Sequence, residues 1–163
     1  MTAALLPPGR PAADWRISEW IGAGAPAGIA ALRGRVIVLH AFQLLCPGCV
    51  HHGIPQAQRI QASFAQEDVS VIGLHTVFEH HDAMTPTVLR AFVHEYRIAF
   101  PVGVDAPSST RGDPTPETMR AYGMRGTPTL VLIDRNGHLR HHGFGAEEDL
   151  VVGAAIATLL AER

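Results

Sequence analysis

Two hydrophobic patterns alternate along this chain, and together they predict its elements. Unbroken apolar runs rich in β-branched residues occur at Val36-Ile37-Val38-Leu39-His40-Ala41-Phe42, Val69-Ser70-Val71-Ile72-Gly73-Leu74 and Thr129-Leu130-Val131-Leu132-Ile133. Such runs suit strands covered on both faces. Between them apolar residues recur at helical spacing. Ala57, Ile60, Gln61 and Phe64 predict a helix from the Cys46–Cys49 region to about Glu67, with Pro55 kinking its early turns. Thr85-Pro86 has the cap and first-turn proline of a helix start, and Leu89, Phe92, Val93 and Tyr96 continue it as a stripe. Phe100-Pro101-Val102-Gly103-Val104 predicts a short strand, and Pro114-Thr115-Pro116 opens a short helix to about Tyr122. Asn136-Gly137 marks a hairpin turn into a strand over 138–142. The acidic Glu147-Glu148-Asp149 begins a terminal helix carrying Val152, Ile156, Leu159 and Leu160. The order βαβαβαββα predicts an α/β fold in three layers, with a central mixed sheet whose first strands are parallel and whose last hairpin is antiparallel. Residues 1–14, rich in Pro and Ala, are expected to form an irregular arm, and 15–163 a single domain whose start Trp15 and Trp20 anchor.

Composition narrows the function classes. At 163 residues and 47% apolar content the chain can bury one sizeable core, and a net charge of −2 offers no attraction for nucleic acid or an anionic membrane surface. No stretch is long and apolar enough to be inserted in a bilayer. The opening residues have neither a basic start nor an apolar run of signal-peptide length, so a cytoplasmic location is expected. Two cysteines cannot build a disulfide framework of the secreted-scaffold kind.

Those two cysteines form Cys46-Pro47-Gly48-Cys49 at a strand-to-helix junction. The spacing puts both thiols on one helical turn, within reach of a small disulfide ring. The first sits at the helix N-terminus, where the dipole favours a thiolate. Thiol chemistry is the expected activity. The run His75-Thr76-Val77-Phe78-Glu79-His80-His81 leaves the second strand at the same sheet edge, where ligands gather in open α/β sheets. His75 and Glu79 are therefore candidates to orient a substrate or tune the thiolate, against the alternative of a polar surface loop. His51 and His52 beside the thiols, with His75, His80 and His81, raise the question of a metal. Their spacings do not match a closed zinc site, and no metal or other cofactor beyond the dithiol is expected; soft thiolates with imidazoles leave copper as the alternative.

Three features at the right separations resemble the thioredoxin superfamily: the apolar strand ending in the Cys46–Cys49 pair, the helix proline Pro55, and Arg125-Gly126-Thr127-Pro128-Thr129 before a buried strand. The additional αβ step over 76–104 is similar to the thiol-disulfide oxidoreductase and redoxin branch, related to the peroxiredoxins. The resemblance implies that Cys46 is the nucleophile and Cys49 the resolving thiol, and that Pro128 has a cis peptide bond and lies against them. It further implies that Thr127 offers its backbone to an extended substrate, with Pro47 and Gly48 on the binding surface. A protein or small-molecule disulfide substrate and an upstream thiol reductant follow as partners. The chain departs from the pattern at several positions. His40 stands where thioredoxins bury an acid, Leu45 where they place Trp, and Pro55 lies one residue further from the dithiol. His40 is thus a candidate proton acceptor for Cys49, or simply a satisfied core histidine. Three activities stay open: disulfide reduction; an antioxidant peroxidase with Cys46 peroxidatic, Cys49 resolving and Gln43 facing the peroxide; and a copper-binding chaperone of redox fold.

Overall fold

The computed structural model describes residues 4–162. Six strands form one mixed sheet: β1 (Ile17–Ile21), β2 (Val36–Phe42), β3 (Val69–His75), β4 (Val102–Asp105), β5 (Thr129–Ile133) and β6 (Leu139–Phe144), in the spatial order β1-β4-β3-β2-β5-β6. β2, β3 and β4 run parallel, while β1, β5 and β6 join antiparallel. Helices α1 (Ile54–Ser63), α2 (Pro86–Glu95), α3 (Glu117–Tyr122) and α4 (Asp149–Ala161) cover the two faces.

The central strand explains the apolar run. All seven residues of β2 are buried, and they divide by parity. Val36, Val38 and Phe42 enter a core with Ile54 and Ala57 of α1, Leu89 of α2 and Ile156 of α4, whereas Ile37, Leu39 and Ala41 enter a second core with Met119 and Tyr122 of α3. By the same alternation His40 points to the α1 side. That face also holds Cys49.

Strand β1 is absent from the expected order. Its residues Ile17 and Trp20 share one core and Ile21 faces the other, because the pairing with β4 shifts between Ile17 and Glu19. A bulge of this kind breaks the two-residue period by which a strand is recognised. The helix expected to reach Glu67 stops at Ser63: Phe64 turns extended and packs its ring on the core, and Ala65 starts the turn into β3. The hairpin turn forms at Asn136-Gly137, where the Asp134 carboxylate accepts from the Asn136 and His138 N–H groups, 2.9 Å each, and Gly137 takes a φ of 78°.

Of the N-terminal arm, residues 1–3 lie outside the described residues, as does 163. The remainder is tied along the outer edge of β6: Leu6 N–H donates to Arg140 O, Leu139 N–H to Arg10 O and Ala12 N–H to Gly137 O, at 2.7–2.9 Å. Arg140 is buried between Asp134 and Glu162 and also donates to Leu6 O. The arm thereby covers an edge that would otherwise present unpaired backbone.

Candidate active site

β2 ends at Phe42, and four residues later Cys46 starts a helical turn. Cys46 and Cys49 are joined as a disulfide with Cα atoms 5.2 Å apart. The two sulfurs are not equivalent. Cys46 is partly exposed, while Cys49 is 0% exposed inside the α1-side core. The Cys49 N–H points at Cys46 Sγ from 3.2 Å, and the Cys46 carbonyl accepts from the Cys49 and Val50 N–H groups. An amide aimed at Cys46 Sγ at a helix start stabilises negative charge there once the disulfide is opened.

The next turn, Cys49–Gly53, is π-helical, closed by Ile54 N–H donating to Cys49 O. One extra residue is accommodated in such a turn. It accounts for the displaced Pro55, which then falls at the start of α1, directly after the wider turn. The turn is also where His40 packs. A methyl group on Gly53 would overlap His40 Cε1, lie 2.6 Å from Nε2, and come 3.2 Å from Pro128 Cβ. Only glycine permits this approach. Because His40 is fixed by burial and by stacking on Phe42, with ring centroids 6.1 Å apart, Gly53→Ala is expected to destabilise the fold by about 1–3 kcal/mol. Chemical denaturation measures the loss, and a smaller loss when His40→Ala is already present would locate the clash at the imidazole.

His40 is 1% exposed and neither ring nitrogen has a hydrogen-bond partner among the described residues. Burial lowers its pKa to about 4, with the neighbouring His52 adding to the effect. A neutral imidazole with unengaged nitrogens therefore lies under the turn that carries the resolving cysteine. The Thr127–Pro128 bond is cis, and Pro128 also abuts the dithiol segment: a Cβ on Gly48 would be 3.2 Å from Pro128 Cδ. Thr127 O lies 3.5 Å from Cys46 Sγ. The structure thus brings together Cys46, Cys49, Gly48, His40, Thr127 and Pro128, with Pro47 exposed at the rim.

Three other candidates are placed differently. Gln43 is buried and turned to the loop after β3, its Oε1 accepting from Phe78 N–H at 3.2 Å and its Nε2 donating to Glu79 at 3.4 Å. It clamps that loop to the dithiol turn rather than facing a ligand at Cys46, and Glu79 is the exposed partner of this clamp. His75 is buried against Phe42, ring centroids 5.4 Å apart, with its pKa lowered by burial to about 4. It lines a separate cavity of about 440 Å³ with Met84, Thr85 and Asp105. Phe42 stands between the two buried histidines. Among the described residues no three His, Cys, Asp or Glu side chains are grouped to hold a metal ion, so the copper alternative finds no ligand set of that size there.

Sequence reasoning missed Gly53, and it singled out His52 only as a possible metal ligand. His52 Nε2 lies 2.9 Å from Glu147 O, and Gln56 donates to the same carbonyl at 2.7 Å, which ties the dithiol helix to the start of α4. A helix carrying one extra residue was the available signal.

The fold and the site define a thioredoxin-like redoxin with a two-cysteine redox centre. The AhpC/TSA family model matches residues 8–142, and the chain belongs to that family. The thioredoxin-like superfamily protein SPOA0173 superposes with a TM-score of 0.91 at 55% identity, covering 95% of this chain and 99% of that one. A thiol-disulfide isomerase from Corynebacterium glutamicum superposes with a TM-score of 0.89 at 45% identity, covering 94% and 97%. The thiol-disulfide oxidoreductase ResA of Halalkalibacterium halodurans is 24% identical over 121 residues, which are 74% of this chain and 60% of ResA. The chain therefore spans less than two thirds of that relative.

Proposed function

We propose that this protein is a thiol-disulfide reductase working through Cys46 and Cys49, supplied with electrons by an upstream thiol reductant in a reducing compartment such as the cytoplasm. The observation that carries the reading is the asymmetry of the pair: one sulfur is reachable and faces an amide donor, and the other is sealed behind it. In the reduced protein the Cys46 thiolate attacks one sulfur of a substrate disulfide, forming a mixed disulfide and expelling the other substrate thiolate. Cys49 then attacks Cys46 Sγ, expelling the second substrate thiolate and closing the ring. Two electrons pass to the substrate. The thiol proton of Cys49 needs an acceptor in a site closed to water, and the unengaged imidazole of His40 is the group available. A thiolate forming beside it would raise its basicity above the low value it has next to the disulfide.

Gly48 contributes no side-chain donor to Cys46, which supports a potential closer to about −270 mV than to the strongly oxidising about −120 mV. A redox titration of the purified protein tests the direction, and a value at the oxidising end would reverse it. Cys49→Ser is expected to stop after the first step and accumulate a mixed disulfide with a protein substrate such as insulin. Mass spectrometry detects the adduct at Cys46. Full turnover by this variant would contradict the assignment of Cys49.

A further inference from the structure

The reaction at sulfur makes no use of the side chains that flank the 125–128 segment. Phe144, at the end of β6, is 48% exposed despite its size. Its ring lies on the backbone of Gly126, where a Cβ would come 3.0 Å from Cε2 and 3.4 Å from Cζ. The guanidinium of Arg125 covers this ring, its Cζ 5.2 Å from the centroid. Arg125 has no acidic partner among the described residues, a state it shares with other surface arginines; what sets it apart is its place on Phe144 beside the redox centre. The Glu147 carboxylate is engaged elsewhere, turned against Gly143 and bonded to His141 at 2.9 and 3.0 Å.

This unneutralised cation belongs to the same short segment as the redox centre. Thr127 O is 3.5 Å from Cys46 Sγ, and Thr127 N–H has no acceptor among the described residues. β6 is pinned to the segment by Gly145 N–H donating to Pro128 O at 2.8 Å and by the pairing of Thr129 with Phe144. Next to Cys46 in the chain, Leu45 is 59% exposed. A free backbone donor beside a nucleophile, with exposed apolar side chains in the adjoining segments, fits an extended polypeptide. In such a chain a residue two positions from the attacked cysteine lies about 7 Å along the strand, over Arg125 rather than over Cys46. A guanidinium held over a ring is restricted in advance and presents a planar fork that matches a carboxylate.

We propose that Arg125, supported by Phe144, selects polypeptide disulfides that carry Asp or Glu two residues from the cysteine Cys46 attacks. The proposal rests on Cys46 being the nucleophile. Arg125 and Phe144 are specificity residues and take no part in the exchange at sulfur.

The test uses three matched peptides, each with one cysteine held as a mixed disulfide with neutral 2-thiopyridine. The positions two residues before and two after the cysteine are both Asp, both Lys or both Ser. Cys46 thiolate attacks the peptide sulfur and releases the thiopyridine, whose absorbance reports the rate, and Cys49 then frees the peptide thiol. Reduced wild-type protein is expected to prefer the Asp peptide over the Lys peptide about tenfold at low salt, with the ratio falling as salt is added. Arg125→Gln should bring the ratio within about twofold, Arg125→Glu should invert it, and Phe144→Ala should diminish it. Equal wild-type rates on the Asp and Lys peptides, or a preference that survives Arg125→Glu, would overturn the proposal. The Ser peptide separates the two readings: its reduction without any charge preference sinks this inference alone, and its failure to react sinks the assignment of Cys46 as well.

Discussion

Cys46→Ser is expected to abolish disulfide reduction, a fall of at least roughly 10³-fold, in insulin turnover or thiopyridine release. A serine hydroxyl is not ionised near neutral pH, so the substituted residue supplies no nucleophile at the one position a substrate sulfur can reach. Cys49 cannot take over, since it is 0% exposed and screened by the turn that precedes it. Serine is close in size to the half-buried Cys46, which packs against the α1-side core, and the variant's unfolding midpoint should remain close to that of the reduced wild-type protein. That comparison separates lost chemistry from lost structure. Substantial turnover by Cys46→Ser would mean that Cys49 becomes accessible, and the division of labour between the sulfurs would be wrong.

The second large effect is acid sensitivity. His40 and His75 are both buried, and both have their pKa lowered from 6.5 to about 4 by burial. Above pH ~6.5 each is neutral whether the chain is folded or unfolded, and its full contribution to stability is present. Between 6.5 and 4 the unfolded chain binds the two protons that the native protein refuses. Stability therefore falls as pH falls, by about 1.4 kcal/mol per pH unit for each histidine, or about 3 kcal/mol each by pH 4. Asp105 acts in the opposite sense, because burial holds its carboxyl above the ordinary range and the native state keeps that proton more readily. Since a domain's whole stability is on the order of 5–15 kcal/mol, the protein should be near its unfolding transition in mild acid. Urea midpoints between pH 7 and 4.5 measure this, with His75→Leu expected to remove about one proton from the slope. A flat profile over that range would mean that one of the histidines takes up a proton within the fold.

Much of this architecture is legible in the chain because burial on both faces leaves a plain mark. The run of β2 contains one polar residue, and the alternation that sends Val38 and Phe42 to the α1 side sends His40 there too. Strand β1 is not legible, because its bulge puts Ile17 and Trp20 on the same face and destroys the period. Gln43 shows where composition misleads: its proximity to Cys46 in sequence suggested a donor to the reacting atoms, but the strand end turns its amide toward Phe78 and Glu79. Arg125 and Phe144 meet only because β6 folds back on the segment before Pro128. No local pattern announces that contact.

The π-helical turn at Cys49–Gly53 has a consequence for comparison with relatives. The wider turn absorbs an inserted residue locally, so each later position keeps the face it would have in a helix without the insertion but carries a number one higher. In an ungapped alignment with a helix that lacks the insertion, the residues from Ile54 onward would each be matched to the wrong face. A residue of this helix is correctly matched to such a protein only after a gap has been opened between Cys49 and Pro55.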